Sequence, residues 1–494
     1  MKYRVLYYEY TRDVYMCSGG KDSCYNALLC QRYGHDIVAL GNLYPADPDT
    51  EELDSYMYQT VGHTLITSYA ECTGLPLFRR KILGSSVEQG LVYEEKKMEV
   101  DEVEDLAVLL KYAVWKMPEI EAVSSGAIAS DYQRHRVERI CARLGLVSLA
   151  YMWHRPQSAL LKEMVEIGID ARLIKVAAAG LDPQRHLGMS IGDMYPYLHR
   201  LRDMYGSNVC GEGGEYETLT LDCPLFIHGR IVLDESEVEV VSEDSLAPVA
   251  YMRPRRFHVE HKADTNKGHG EVFEVPDGWK EDDCCTRDAC CEVLAQNICE
   301  GVKDWRVSVF EHSLHEGYVS FHGYCRAVEF GKDLDIEHVL EGFDCLLNSM
   351  KMAMESQGGM AFSDGLYTVL FVNDMNHFGR LNKVYSKYFP HIHPPSRATL
   401  ELAGHNDVCI AMQVMCARPS NDWCQKKRVL HVQSMSEWAP CCIGPYSQAT
   451  SYDGLVRFAG QIAMDPTNCS IPQDMSLDDQ VVRVSKHVIS LVLP

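Results

Sequence analysis

Long apolar runs are missing from this sequence, and so is the dithiol spacing CxxC. No stretch approaches the roughly 20 apolar residues that cross a bilayer, so no membrane-spanning helix is expected. The opening residues, MKYRVLYYEYTRD, carry no long apolar core of the secretory kind. The 20 cysteines are scattered through 494 residues rather than packed into a small scaffold. They read as reduced thiols in the cytoplasm, not as a disulfide framework. Without CxxC, a zinc ribbon or a CxxC redox centre loses its ligands. Basic residues are scarce too: 47 Lys and Arg against 70 Asp and Glu leave a net charge of -23. Gripping nucleic acid over a broad surface takes clustered Lys and Arg, so no nucleic-acid partner is expected. The one basic stretch, RPRRFHVEHK (253–262), reads as a solvated linker or strand edge, with a docking patch as the lesser reading.

What is present is the balance of an ordinary globular protein, 46% hydrophobic and 24% charged, long enough for more than one domain. In the first part, short β-like runs alternate with helical patterns. DVYMC precedes a helix over 21–33, and DIVALGNLY precedes an amphipathic stretch near 51–72. PLFRRKI precedes VDEVEDLAVLLKYAVWK, EAVSSGAI precedes SDYQRHRVERICARLGL, and SLAYMW precedes SALLKEMVEIG. This alternation predicts βαβ units and a parallel sheet covered on both faces, with ligands at the carboxyl ends of the strands. From Thr218 the texture changes to TLTLDCPLFIHGRIVLDESEVEVV, which reads as hairpins closing the domain. A polar, turn-rich stretch follows, then strand-like runs (WRVSVFEHS, GYVSFHGY, GLYTVLFVND), helices near 336–355 and 376–389, and further strands from Arg428. That second half has an α+β texture.

The first predicted strand runs into SGGKDS (18–23). This is neither a Walker A loop nor a GxGxxG fingerprint. A glycine turn at a helix N-terminus presents unpaired N–H groups and the positive end of the helix dipole, which suits an anion. Gly19 and Gly20 permit close approach, Ser18 and Ser23 offer hydroxyls, Lys21 brings positive charge, and Asp22 suits Mg²⁺. A plain turn with Asp and Ser capping the helix would read the same way from the hexapeptide alone.

SGGKDS resembles the SGGxDS signature of the PP-loop ATP pyrophosphatases. Four further segments resemble one family among them, the diphthine–ammonia ligases: LDSYMYQTVGHT (53–64), GAIASDYQRHRVERICARLGL (126–146), LIKVAAAGLD (173–182) and YGSNVCGEGGEYETLTLDCPLF (205–226). The resemblance covers nearly all of residues 13–240. It implies a Rossmann-like α/β sheet domain and an ATP-dependent ligase. The diphthine carboxylate of elongation factor 2 would be adenylated and then attacked by ammonium, giving diphthamide, AMP and pyrophosphate. It implies ATP and Mg²⁺ as cofactors, with Asp22 on the metal, and Gly126, Ala127 and Ile128 beside the nucleotide. In a buried sheet, Gly-Ala-Ile would equally be ordinary helix–strand packing. Glu212, Gly213, Gly214, Glu215, Tyr216 and Glu217 are implied on the substrate side, where carboxylates and an aromatic ring suit ammonium and the quaternary ammonium of diphthine. By charge and spacing alone the same segment reads as a hairpin turn with solvated glutamates. Arg134, Arg136, Arg139 and Arg143 read either as anion ligands or as a solvated helix face. VDEVEDL (100–106) reads as a helix start before it reads as a metal site. No Cys-nucleophile glutaminase segment is evident, so free ammonium is the expected nitrogen source. TRDVYM departs from the fully apolar first strand of the family, so that strand is expected to be incompletely buried.

In the second half, residues 372–402 resemble the latter part of a Rid-family (YjgF-like) domain, with Arg397 matching its arginine, and residues 443–466 resemble the first part of another. Neither copy is complete, the second stopping at LVLP, so scaffolding or docking is expected rather than enamine deamination. Contacts between copies of the chain are the oligomer such domains imply. The boundaries that follow are 1–240 for the PP-loop domain, 241–295 for a linker, 296–420 for a degenerate first Rid-like domain and 428–494 for an incomplete second. CCTRDACC (284–291) reads as ordinary thiols rather than a metal site, because adjacent cysteines cannot readily ligate one ion. Rival readings are a tRNA-modifying PP-loop enzyme, disfavoured by the charge, and a Rid-like deaminase or scaffold with a vestigial nucleotide domain.

Overall fold

The computed structural model describes residues 11–47, 50, 53, 55, 57, 58, 60–85, 101–242, 244, 246–262, 270–277, 279, 305–313, 318–327, 336–356, 359–402, 408–417, 427–472 and 474–492. The described residues divide into two bodies, one within residues 8–287 together with 434–438, the other within residues 288–433 and 439–494.

The first body alternates as its sequence predicts: β1 (Arg12–Met16), α1 (Lys21–Arg32), β2 (Asp36–Pro45), α2 (Thr67–Thr73), β3 (Leu77–Ile82), α3 (Glu102–Lys116), β4 (Ala122–Ser124), α4 (Asp131–Leu144), β5 (Val147–Leu149) and α5 (Gln157–Glu166). Then come β6 (Asp170–Val176), α6 (Pro183–His186), α7 (Ile191–Tyr205), β7 (Tyr216–Asp222), β8 (Gly229–Ser242), β9 (Val249–His261) and β10 (Val272–Glu274). Six strands form an all-parallel, Rossmann-like sheet in the order β10-β3-β2-β1-β4-β5. Val14, Ala39, Phe78 and Val123 of its strands pack with Leu106, Leu109 and Leu110 of α3 and Ile140 of α4. A second, antiparallel sheet runs β7-β6-β9-β8 and leaves β7 on an edge.

Several expectations are corrected. β1 is buried over residues 13–15, because it is the strand between β2 and β4, while Arg12 is exposed and Met16 half-buried. Its Asp13 is wholly buried and neither carboxyl oxygen has a well-formed hydrogen bond. Burial dominates its ionisation, Ser124 and Cys30 oppose it only in part, and its pKa is pushed up to about 7. The stretch 51–72 turns helical only at His63. Before that, Leu53 N donates to Thr60 Oγ1 (3.0 Å) to close a loop. β7 does not pair with β8; the hairpin is β8–β9, and both β9 and β10 lie in the span expected as a linker. β10 is recruited because Val272–Glu274 supplies a parallel partner for β3. CCTRDACC lies outside the described residues. Among the described residues no helix is long and apolar enough to cross a membrane.

The second body holds β11 (Trp305–Ser313), β12 (Tyr318–Ala327), α8 (Ile336–Ser356), β13 (Gly365–Val372), α9 (Phe378–Tyr385), β14 (Ser396–Glu401) and β15 (Val408–Ala417). The sheet order is β11-β12-β15-β13-β14, antiparallel except for β13–β14. Phe343, Leu346, Leu347, Met350 and Met354 recur at helical spacing on α8 and bury against Val319, Phe321, Ile410, Met412 and Val414. β16 (Arg428–Leu430), β17 (Ala449–Tyr452) and β18 (Leu455–Phe458) make a small sheet, and a helix over Leu477–Val492 follows. The two expected partial copies meet here. Arg397 is buried, with its guanidinium 4.5 Å from the Tyr385 ring and 4.7 Å from that of Tyr446 in the GPYSQA segment.

Candidate functional site

β1 delivers the chain into the turn at Ser18–Gly20, and α1 starts at Lys21. Gly19 has φ +90°, and a Cβ there would fall 2.6 Å from Ile66 Cδ1. Only glycine fits both demands. Its carbonyl accepts from Thr220 N (2.8 Å) and from the Tyr69 hydroxyl (3.0 Å), which ties the turn to the edge strand β7. The serines brace the turn: Ser23 Oγ donates to Gly20 O (3.0 Å), and Ser18 Oγ lies 3.2 Å from Ser23 Oγ. Gly20, the N-cap of α1, supplies no side-chain cap. Lys21 N instead donates to Thr218 Oγ1 (3.1 Å).

Lys21 is buried. Its ammonium donates to Asp22 Oδ2 (2.8 Å) and to the Cys210 carbonyl (2.5 Å), and stands 5.1 Å from the Tyr216 ring centre. Burial opposes its charge, but Asp22, Tyr216 and Cys210 outweigh that and raise its pKa, so it stays protonated. Asp22 Oδ1 is buried with no hydrogen-bond partner among the described residues. A buried carboxylate oxygen without a hydrogen-bond partner, at the start of a helix, fits a hard cation that also touches an anion. No group of three or more metal-ligating side chains stands among the described residues.

The GEGGEYE segment closes over the turn, and its three glutamates part ways. Glu212 Oε2 accepts from Ala129 N (3.1 Å), just beyond Gly126–Ile128. Burial first, then the neighbouring Asp22 charge, push its pKa up to about 7, with Lys21 pulling the other way. Glu215 is a brace: Oε1 accepts from Asn208 N (2.7 Å) and Nδ2 (3.0 Å), and Oε2 from Gly213 N (2.8 Å). With Gly214 N bonded to Gly211 O (3.0 Å), these bonds hold the loop shape. Tyr216 is buried and gives its hydroxyl proton to Val209 O (2.6 Å). Its ring is therefore taken by Lys21 and offers no open face to a ligand. Glu217 Oε1 lies 3.1 Å from Lys175 Nζ, on a cavity of about 580 Å³ also lined by Tyr58, Thr60, Glu239 and Tyr251.

Gly126 sits so close to α1 that a Cβ would come within 2.8 Å of Ser23 N, while Ala127 and Ile128 are buried. The segment thus packs tightly on the turn, with Gly126 at the point of closest approach. The arginines of α4 are not one solvated face: Arg139 is half-buried and only Arg143 is exposed. Arg134 and Arg136 are buried, Arg134 bonds Glu138 (2.7 Å) and Asp131 (2.8 Å), and Arg143 grips Glu104 at 2.8 and 2.9 Å. In VDEVEDL, Asp101 caps α3 by accepting from Val103 N (3.0 Å), and Asp105 pairs with buried Arg80 (2.8 Å). Thr218, Cys210, Asn208 and Tyr69, which the sequence reading passed over, all shape the site. The signal that could have found Thr218 is its place two beyond Tyr216, on the same face of a strand.

Residues 11–148 match the family model of the diphthamide synthase N-terminal domain, and residues 156–247 that of its C-terminal domain. A diphthine–ammonia ligase of Schizosaccharomyces pombe is 37% identical over 476 residues, 92% of this chain and 73% of that protein. The chain belongs to the diphthine–ammonia ligase family. It is a ligase. The Saccharomyces cerevisiae member is 34% identical over 96% of this chain and 72% of its own length. The Rattus norvegicus member is 57% identical over 52% of this chain and 96% of its own length. A YjgF-family structure from Neisseria meningitidis matches 21% of this chain and 82% of its own at 13% identity and a TM-score of 0.17. At those values the likeness carries nothing about the second body.

Proposed function

We propose that the chain amidates the diphthine carboxylate of elongation factor 2 with ammonium and ATP, releasing diphthamide, AMP and pyrophosphate. A carboxylate does not become an amide in water, because hydroxide is a poor leaving group. Conversion to a mixed anhydride with AMP supplies a good one, and the protein then mainly positions partners and stabilises developing charge. One observation carries this reading: the first turn of α1, whose N-cap Gly20 has no side chain to cap it, entered through Gly19 at φ +90° and flanked by an oxygen of Asp22 with no hydrogen-bond partner among the described residues.

In this reading Ser18, Gly19, Gly20, Lys21, Asp22 and Ser23 hold the terminal phosphates of ATP, and Gly126, Ala127 and Ile128 stand on the nucleotide side. Asp22 would hold Mg²⁺, which neutralises phosphate charge when bound. Glu212 takes at Oε1 one of the two protons that ammonium sheds, a task its near-neutral pKa suits. The freed nitrogen lone pair then forms the C–N bond as the C–O bond to AMP breaks, and the second proton passes to solvent water. Glu215 holds the loop, with Gly213 and Gly214 letting it turn, and Tyr216 holds Lys21. Residues 296–494 serve as a Rid-like scaffold or docking surface for the factor.

The test is to incubate the protein with ATP, ammonium and diphthine-bearing elongation factor 2, and to measure AMP, pyrophosphate and the new amide. Equimolar formation of all three supports the proposal. Nucleotide turnover with tRNA instead of the factor, or imine hydrolysis without nucleotide turnover, overturns it.

A further inference from the structure

The parallel sheet of the first body ends in β5, and an edge strand leaves a row of backbone groups open. Ser434–Trp438, far along the chain but part of this body, lies on that edge. Met435 forms a parallel bridge with Leu149: its N donates to Ser148 O (2.9 Å), and its carbonyl accepts from Ala150 N (3.0 Å). Ser434, Met435 and Ser436 are buried. Glu437 accepts from the hydroxyl of Tyr33, the C-cap of α1, and lies 3.4 Å from Arg155 Nε.

Two routes lead from this segment to one loop. Ser434 N and Oγ both donate to Glu138 Oε1 (2.7 and 2.6 Å). The other oxygen of Glu138 accepts from Arg134 (2.7 Å), which also bonds Asp131 (2.8 Å) in the first turn of α4. Glu138 and Arg134 are both buried, where a charge keeps its place only while its partners do. The second route is shorter. The Trp438 ring stands 5.2 Å from that of His154, and His154 N donates to Ile128 O (2.8 Å). His154 has φ +54°, a strained backbone for a residue with a side chain, which its surroundings must hold. Both routes end within Gly126–Asp131, the connection from β4 to α4. The same connection gives Ala129 N to Glu212 Oε2 (3.1 Å). Residues 18–23 have anchors of their own in Thr218, Thr220, Tyr69 and Cys210.

We infer that Ser434–Trp438 is a positioning segment for the nucleoside end of the site: it fixes Gly126–Asp131 and leaves the phosphate end to the turn. This rests on the function proposed above, and the choice of probes separates the two. The full-length protein is titrated calorimetrically with AMP and, separately, with pyrophosphate, Mg²⁺ being present throughout. Trp438→Ala and Ser434→Ala should each weaken AMP about fivefold or more and leave pyrophosphate within about twofold. Trp438→Phe, which keeps a ring over His154, should bind AMP more tightly than Trp438→Ala. Should Trp438→Ala fail to fold, Ser434→Ala, which removes one hydroxyl, carries the same expectation. AMP affinity unchanged in the variants overturns the inference, and so does an equal loss for both probes, which would mark a general loosening of the fold. An unaltered protein that binds pyrophosphate but no AMP overturns this inference alone. One that binds neither overturns the proposed function with it.

Discussion

Glu212 offers the sharpest handle on the chemistry. Burial and the Asp22 charge set its carboxyl near pH 7. Its ionised share then climbs from about 9% at pH 6 to about 91% at pH 8, roughly a tenfold gain, and levels off above that. If Glu212 carries the proton away from bound ammonium, the rate at fixed total ammonium follows this curve, because ammonium itself scarcely changes over the range. If free ammonia enters without such help, the rate instead follows the ammonia fraction and rises about tenfold per pH unit, a hundredfold from pH 6 to 8. The assay is pyrophosphate release at subsaturating ammonium and saturating ATP and factor, at pH steps between 6 and 8.5. The unaltered protein should give a tenfold rise and a plateau. Glu212→Gln, which can still accept from Ala129 N, should be slower throughout and lose the plateau, its rise continuing toward the pKa of free ammonium. A profile without a bend near pH 7, or one identical in the two proteins, refutes the reasoning.

Asp13 predicts a pH-dependent stability. Its folded pKa of about 7 lies above the ordinary 3.8, so its contribution is full below pH 3.8 and is lost as pH rises through 7. The difference in opening free energy between Asp13→Asn and the unaltered protein should widen in the variant's favour by about 3 kcal/mol from pH 5 to 8.5. Hydrogen exchange at β1 and β4 amides reads this locally, and a constant difference would contradict it. Gly126→Ala puts a Cβ 2.8 Å from Ser23 N, where backbone must yield. We expect a loss of about 1–3 kcal/mol in thermal unfolding, with ATP-dependent pyrophosphate release down at least tenfold. Release at the normal rate would show that the contact is not part of the site. Asp105→Asn leaves Arg80 buried without its carboxylate and should cost about 3–5 kcal/mol, with Arg80→Met/Asp105→Leu recovering much of it. Equal losses in both would count against an unpaired charge as the cause.

The way the site assembles explains why Glu212, Glu215 and Glu217 were indistinguishable as letters. All three sit in one acidic, glycine-lined heptapeptide. Their roles are set by what each meets: the Ala129 amide, the Asn208 and Gly213 amides, and the Lys175 ammonium. Lys21 likewise reads from SGGKDS only as a positive charge at the turn, and what anchors its ammonium there is the Cys210 carbonyl, 189 positions away. The arginines of α4 looked like a wet helix face because helical spacing cannot reveal what stands opposite, and here Glu104 on α3 and α4's own Glu138 are what they find.

By itself the sequence determined what depends on neighbours a few residues apart. Alternating apolar periods fixed the βαβ order, Asp101 before an acidic first turn fixed where α3 starts, and two glycines after a strand fixed a turn that only small residues can make. Tertiary structure alone decided what depends on groups far apart in the chain. It placed β1 between two strands and so buried Asp13, drew Val272–Glu274 in as a sixth parallel strand, and gave three similar glutamates three different jobs. Local backbone preferences act over one turn of chain, whereas desolvation and pairing depend on whatever the folded chain brings within a few ångströms.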